Sequence, residues 1–209
     1  REGRPVNYIR VATTDDIQGP AVAAYAYAAG KTKVYIVDDT EVYGKGIADA
    51  FAAKFAELGG TVAGRAAADK STTDFTGIVT QAKALKPDSV FYGGVTSSGA
   101  GLFRKAMIQL GLNVPMFGGG GINDGNGDGT HIKIAGDAAA NSFSAVAAIH
   151  DIPAAADFAA KYSAKYGEQP GSYSASGYAC AQVIIAGIKA AAANGAVDRK
   201  STRLNSSHV

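Results

Sequence analysis

The sequence predicts a doubly wound α/β fold on a parallel sheet, and three observations predict it. Short apolar, β-branched runs begin near positions 33, 61 and 89, bounded by turn residues as buried strands are. Between them, apolar residues recur at three- and four-residue spacing, the pattern of helices with one buried face. Strands separated by helices of that length form βαβ units, which give parallel sheets with right-handed crossovers.

Each element has its own warrant. Residues 34–37 (VYIV) read as a buried strand ending at Asp38 and Asp39. Ile47, Phe51, Phe55 and Leu58 form one helical stripe, closed by Gly59 and Gly60, which stop a helix. Residues 61–65 are the next strand. Residues 71–74 (STTD) supply N-cap oxygens for a helix whose stripe is Phe75, Ile78, Val79, Ala82 and Leu85, with Pro87 after it. Residues 89–92 form the third strand, and Leu102, Phe103, Ala106 and Leu110 mark a helix stopped by Gly111. Strands follow at 114–117 and 142–146. Residues 153–166 and 172–194 read as two helices with no strand between them, so a change of lobe is expected around 147–153.

Composition narrows the function. The chain is 47% hydrophobic and 18% charged, which suits a packed globular core and excludes a disordered chain. No run reaches the roughly 18–20 apolar residues that span a bilayer. The formal net charge of +2 sits in residues 198–209, so the remainder is balanced and nothing points to a nucleic-acid partner. Cys180 is the one cysteine, and its spacing from Ile184 and Ile188 places it on an apolar helix face as a small buried residue. The chain opens on Arg1 without a methionine, so any signal peptide would lie upstream. Residues 198–209 lack apolar periodicity and resemble the translation of a sequencing adapter; they are read as a non-native tail.

In open parallel sheets, ligands bind beyond the carboxyl ends of the strands. Three loops leave strands there, at 38–46, 93–99 and 118–124, all rich in glycine, serine or threonine. Tyr43 stands in the first, where it either covers a ligand or packs on its own helix. Chemical motifs are sparse. Gly30, Lys31 and Thr32 lack the opening glycine of a phosphate loop and precede a strand rather than follow one. No Gly-x-Ser-x-Gly elbow and no His-Glu-x-x-His pair is present. Asp124, Asn126 and Asp128 with Gly129 match the first half of a calcium loop, but its twelfth position is Ala135, so a glycine-rich insertion is the reading and no metal is assigned.

The residues together carry a family pattern. TDDIQGP at 14–20, VYIVDDTEVYGKG at 34–46, Asp74 with Phe75, Pro87 with Asp88, FYGG at 91–94, IAGDAA at 134–139, Gln169 with Pro170, Tyr173, and YACAQ at 178–182 resemble the branched-chain amino acid binding proteins of ABC importers. This resemblance implies a periplasmic-binding-protein fold of the first type, with one nearly complete lobe and helices of a second. By domain, it implies the end of the first lobe and a hinge crossover at 1–17, the ligand-binding lobe at 18–148, and helices returning to an incomplete first lobe at 149–197. Hinge strands are expected near 10–16 and 147–151, including Asp15, Asp16, Ile149 and His150.

The resemblance also implies a role: a non-enzymatic receptor, without cofactor, that holds a small solute between lobes and presents it to a membrane permease. The solute is an amino acid, amide or small organic acid. Expected ligand contacts are Tyr43, Val95, Thr96, Ser97, Gly119, Gly120 and Asp124. The family's ammonium-pairing acid falls at Gly120. The full-length protein is expected to be monomeric, and periplasmic or anchored outside the cell as a lipoprotein. A ligand-sensing regulatory domain of the same fold is the alternative, and an α/β enzyme comes third.

Overall fold

The structure, a computed structural model, describes residues 10–125, 127–148, 157–193 and 195. It divides into two compact units, one of them Thr14–Ala147. The other comes from the chain on either side, where two helices are described.

The first unit holds β1 (Lys33–Asp38), β2 (Thr61–Ala67), β3 (Ser89–Gly93), β4 (Met116–Gly118) and β5 (Ser142–Ser144). They form one sheet in the order β2-β1-β3-β4-β5, every neighbouring pair parallel. The helices are α1 (Asp15–Ala28), α2 (Val42–Glu57), α3 (Thr76–Ala84), α4 (Ala100–Gln109) and the short α5 (His131–Ala135).

Side chains alternate across a strand, and here the alternation builds two cores. Val34, Ile36, Phe91 and Phe117 face one way, onto Val22, Ala23 and Ala26 of α1 and Ile47, Phe51 and Phe55 of α2. The Phe51 and Phe91 rings stack at 4.1 Å. Tyr35, Val37, Val90, Tyr92 and Met116 face the other way, onto Val79 of α3 and Phe103 and Met107 of α4. Helices on both faces make the sheet doubly wound, as the spacing predicts.

Several details differ from the sequence reading. Helix α1 lies where the periodicity predicts none, because its buried stripe is Gln18, Gly19, Val22, Ala23 and Ala26, with one large apolar residue, and Pro20 lies within it, which weakens the helical signal. Its Gly19 comes so close to α2 that a Cβ there would stand 2.9 Å from Ala50 Cβ and from the Ile47 carbonyl oxygen. Strand β4 begins at Met116 rather than 114, since Pro115 has no amide to donate; its carbonyl accepts from the Val90 amide at 3.0 Å. At the amino ends of the strands, Asp88 accepts from the Thr32 and Lys33 amides at 2.7 and 3.1 Å.

The second unit contains α6 (Phe158–Tyr166) and α7 (Ser174–Ala193). The Phe158 and Tyr178 rings meet at 5.2 Å, and an open groove of about 520 Å³ runs beside them, floored by Phe158, Tyr162 and Tyr166 and edged by Lys161 and Lys165. Cys180 does share a helical face with Ile184 and Ile188, but that face is exposed, Cys180 included. The expectation of a buried cysteine is therefore corrected: among the described residues, nothing covers this side of α7. At 20 residues with a mean hydropathy of 1.2, α7 is also long and apolar enough to cross a membrane, although polar residues such as Gln182 and Lys189 interrupt its apolar runs.

Candidate ligand-binding site

The strand order turns back between β1 and β3, and crevices at such switch points beyond the carboxyl ends of strands are where α/β proteins take ligands. The loop after β1 is tightly held. The Asp38 carboxylate accepts from the Thr40 amide at 3.1 Å and from Arg65 Nε and Nη2 at 2.8 and 2.7 Å. Asp39 is buried and accepts from the Glu41 amide at 3.1 Å. Between them Thr40 adopts φ +66°, a left-handed conformation that costs a β-branched residue energy and recurs at functional loops. A side chain at Gly44 would collide with the Asp39 carboxylate, and one at Gly94 would come within 2.7 Å of it. The β1 and β3 loops therefore close on one another around a buried acid.

This loop delivers Tyr43 to the first turn of α2, half-buried. Its hydroxyl donates to Gln18 Oε1 at 3.4 Å and accepts from the Gly121 amide at 3.2 Å. Gln18, 4% exposed, also accepts from the Gly120 amide at 3.3 Å and donates from Nε2 to the Ala145 carbonyl at 3.0 Å. The glycines after β4 leave room for this. A Cβ on Gly119 would run into Ile47 and lie 2.6 Å from the Tyr43 oxygen, and one on Gly121 would lie 2.5 Å from the Gly94 carbonyl oxygen and 2.8 Å from Val95 Cγ1.

The turn after β3 is pinned from below. The Tyr92 hydroxyl donates to the Ser98 carbonyl at 2.6 Å, and burial with the nearby Asp39 and Asp38 charges raises its pKa well above the ordinary phenol value. Thr96 is buried and its hydroxyl reaches the Gly121 carbonyl at 3.5 Å. Ser97 is exposed and Val95 half-buried.

Of the expected contact residues, Tyr43, Val95, Thr96, Gly119 and Gly120 thus gather around the 119–121 turn, with Ser97 in the adjoining turn after β3. Asp124 does other work: its exposed carboxylate accepts from the His131 amide at 3.0 Å and caps α5. Among the described residues no group of acids, histidines or cysteines could hold a metal ion; Asn126 lies outside them. Asp15 and Asp16 form the exposed first turn of α1, which corrects the strand expected through 10–16. Ile149 and His150 lie outside the described residues.

Sequence reasoning missed Gln18, whose partners are 25 to 127 residues away along the chain, and missed Arg104. Arg104 is 2% exposed and donates to the carbonyls of Val114, Ala138 and Ala140 at 2.8, 2.7 and 2.6 Å. It bolts the 136–140 turn to α4 and the lead into β4, and burial lowers its pKa. His131 is buried beside Ser142, its Nε2 3.3 Å from the hydroxyl, while Nδ1 has no partner. Burial chiefly lowers its pKa, with Arg104 adding to the effect and Asp124 opposing it.

A family model described as periplasmic binding protein matches residues 3–205, running into the segment read as a tail. The chain is 35% identical over 119 residues to the Leu/Ile/Val-binding protein BraC3 of Rhizobium johnstonii, a match covering 56% of this chain and 32% of that protein. Among solved structures it resembles the leucine-binding protein LivK of Thermotoga maritima, with a TM-score of 0.76 and 28% identity over 93% of this chain and 54% of that one. It also shares the fold of an ABC-transporter solute-binding protein from R. palustris solved with benzoate, with a TM-score of 0.72 and 24% identity over 88% of this chain and 50% of that one. The chain spans about half or less of the length of each.

Proposed function

The chain belongs to the periplasmic binding protein family, and from that premise we propose that it is part of the substrate-binding component of a bacterial ABC importer. One observation carries the reading. At the switch point between β1 and β3, the half-buried Tyr43 ring and the 119–121 glycine turn form a preorganised surface, the Gly120 and Gly121 amides already held by Gln18 and Tyr43 and the exposed Ser97 in the adjoining turn. Such a surface suits one side of a small, largely apolar solute and offers no nucleophile–base pair for turnover.

In this proposal residues 18–148 are one lobe and 149–197 return toward a second. The solute lies between lobes, which close over it and dock on a membrane permease. The protein acts outside the cytoplasm, in the periplasm or tethered as a lipoprotein, and is monomeric at full length. The solute is an amino acid, an amide or a small organic acid. Gly120 brings no carboxylate to the turn, Asp38 is engaged by Arg65, Asp39 is enclosed between the Gly44 and Gly94 loops and accepts from the Glu41 amide, and Asp124 is engaged by the α5 amide. A buried ammonium without a counter-charge is costly, which favours a solute that presents an uncharged end to this surface. The benzoate complex of the R. palustris relative supports including aromatic acids.

The test is a calorimetric titration of the polypeptide at the length of its relatives against leucine, an aliphatic amide and benzoate. Saturable 1:1 binding of one class is expected, with Tyr43→Ala losing at least tenfold in affinity. Binding of none, or chemical turnover of any, would overturn the reading.

A further inference from the structure

We propose that Gln18 is a positioning residue that couples the solute-facing surface to both points where the chain enters and leaves the Thr14–Ala147 unit. The proposal rests on the solute-binding reading above. A primary amide offers two donor hydrogens and two acceptor lone pairs, and Gln18 uses both ends on different elements. Oε1 accepts from the Tyr43 hydroxyl at 3.4 Å and the Gly120 amide at 3.3 Å. Nε2 donates to the Ala145 carbonyl at 3.0 Å.

Those partners are placed unusually with respect to the chain. The unit begins at Thr14 and ends at Ala147. The Gln18 amide nitrogen donates to the Thr14 carbonyl at 3.0 Å, so the residue sits one helical turn inside the entry, and Ala145 lies two residues before the exit. Ala145 is itself held by its amide, which donates to the Gly118 carbonyl at 3.3 Å. One buried residue therefore joins the entry through its backbone amide, and the exit, Tyr43 and the glycine turn through its side chain. Any displacement of entry relative to exit must stretch one of these bonds, and a solute that fixes Tyr43 and Gly120 fixes the amide between them. Leaving a buried donor or acceptor unmet is costly, so the four sites move together. Glutamate in this place would keep the acceptor side and lose the donor to Ala145; methionine would lose both.

The test is a double-mutant cycle in the polypeptide at the length of its relatives, using Gln18→Met, Tyr43→Phe and the pair, with leucine and benzoate as probes. Affinity is read by calorimetry, and solute-induced closure by energy transfer between dyes on the two lobes. Gln18→Met is expected to weaken binding about tenfold and to blunt closure at saturating solute, with the pair no worse than the poorer single variant. Gln18→Glu, which guards against a misfolded methionine variant, is expected to keep most affinity yet lose closure. A filler role alone would lower the melting temperature and leave closure intact, with the two substitutions additive; that result overturns the proposal while leaving solute binding standing. A wild-type polypeptide that binds neither probe nor any related solute overturns both.

Discussion

The Gly121 amide donates to the Tyr43 hydroxyl across 3.2 Å, tying the first turn of the helix after β1 to the turn after β4. These residues are 78 apart in the chain, and the bond holds the aromatic ring over the switch point.

Removing that hydroxyl should therefore loosen the glycine turn as well as the ring. Tyr43→Phe leaves the Gly121 amide and one lone pair of Gln18 without their partner, at a cost of about 1–2 kcal/mol in unfolding free energy. Urea denaturation measures it, and amide exchange at Gly121 should quicken in parallel.

Two glycines should respond to alanine in opposite directions. Gly121→Ala sets a Cβ 2.5 Å from the Gly94 carbonyl oxygen, a backbone atom that cannot swing aside, and should cost about 1–3 kcal/mol. Gly46, inside α2, has open space around its Cβ position; Gly46→Ala should stabilise by up to about 1 kcal/mol through helix propensity. A pair of melting curves decides both.

Arg104 should be among the least replaceable polar residues. Arg104→Met strands the carbonyls of Val114, Ala138 and Ala140 and should destabilise by about 3 kcal/mol or more. Arg104→Lys should recover only part of this, since an ammonium lacks the planar fork. Chemical unfolding of the three proteins ranks them.

Stability should fall on mild acidification through His131. Its pKa is lowered in the folded state, so below the ordinary value of about 6.5 the unfolded chain takes up a proton that the folded chain resists. Stability is then full above that pH, declines as pH drops below it, and levels off once the lowered folded value is passed. Urea midpoints between pH 7.5 and 5 should show the decline, and His131→Phe should flatten it.

The exposed face of α7 should make this chain associate. Ile184, Ile185 and Ile188 are 60%, 49% and 43% exposed on one helix, more apolar surface than a soluble monomer usually leaves bare. Sedimentation should show concentration-dependent oligomers that Ile184→Lys with Ile188→Lys reduces. A monodisperse wild type with no binding of a hydrophobic dye would contradict this.

What was legible in the sequence follows from the range over which each signal acts. The strands at 34–37 and 89–92 and the helices of Phe51 and Phe103 declare themselves by period, because burial on one face repeats every two or 3.6 residues. Tyr43 was legible because a strand end and a family motif coincide there. Helix α1 was not: alanine contacts α2 without a strong apolar signature. Gln18 and Arg104 were illegible for a deeper reason. Each is a polar side chain whose burial is justified by partners that other segments of the chain supply. Cys180 shows the converse, since its spacing does set it on a helical face with Ile184 and Ile188, yet nothing among the described residues covers that face.

The crowding around Gly44, Gly94, Gly119 and Gly121 also limits how this protein can evolve. A new side chain at any of them strikes a neighbour within 3 Å, so mutation cannot reshape this surface by decorating those positions. Change is channelled to Ser97, whose exposed side chain stands clear of that frame; Val95, whose Cγ1 lies 2.8 Å from where a Gly121 Cβ would stand, belongs to the frame. Variants confined to Ser97 would alter the chemistry of this surface while the glycine scaffold stays fixed.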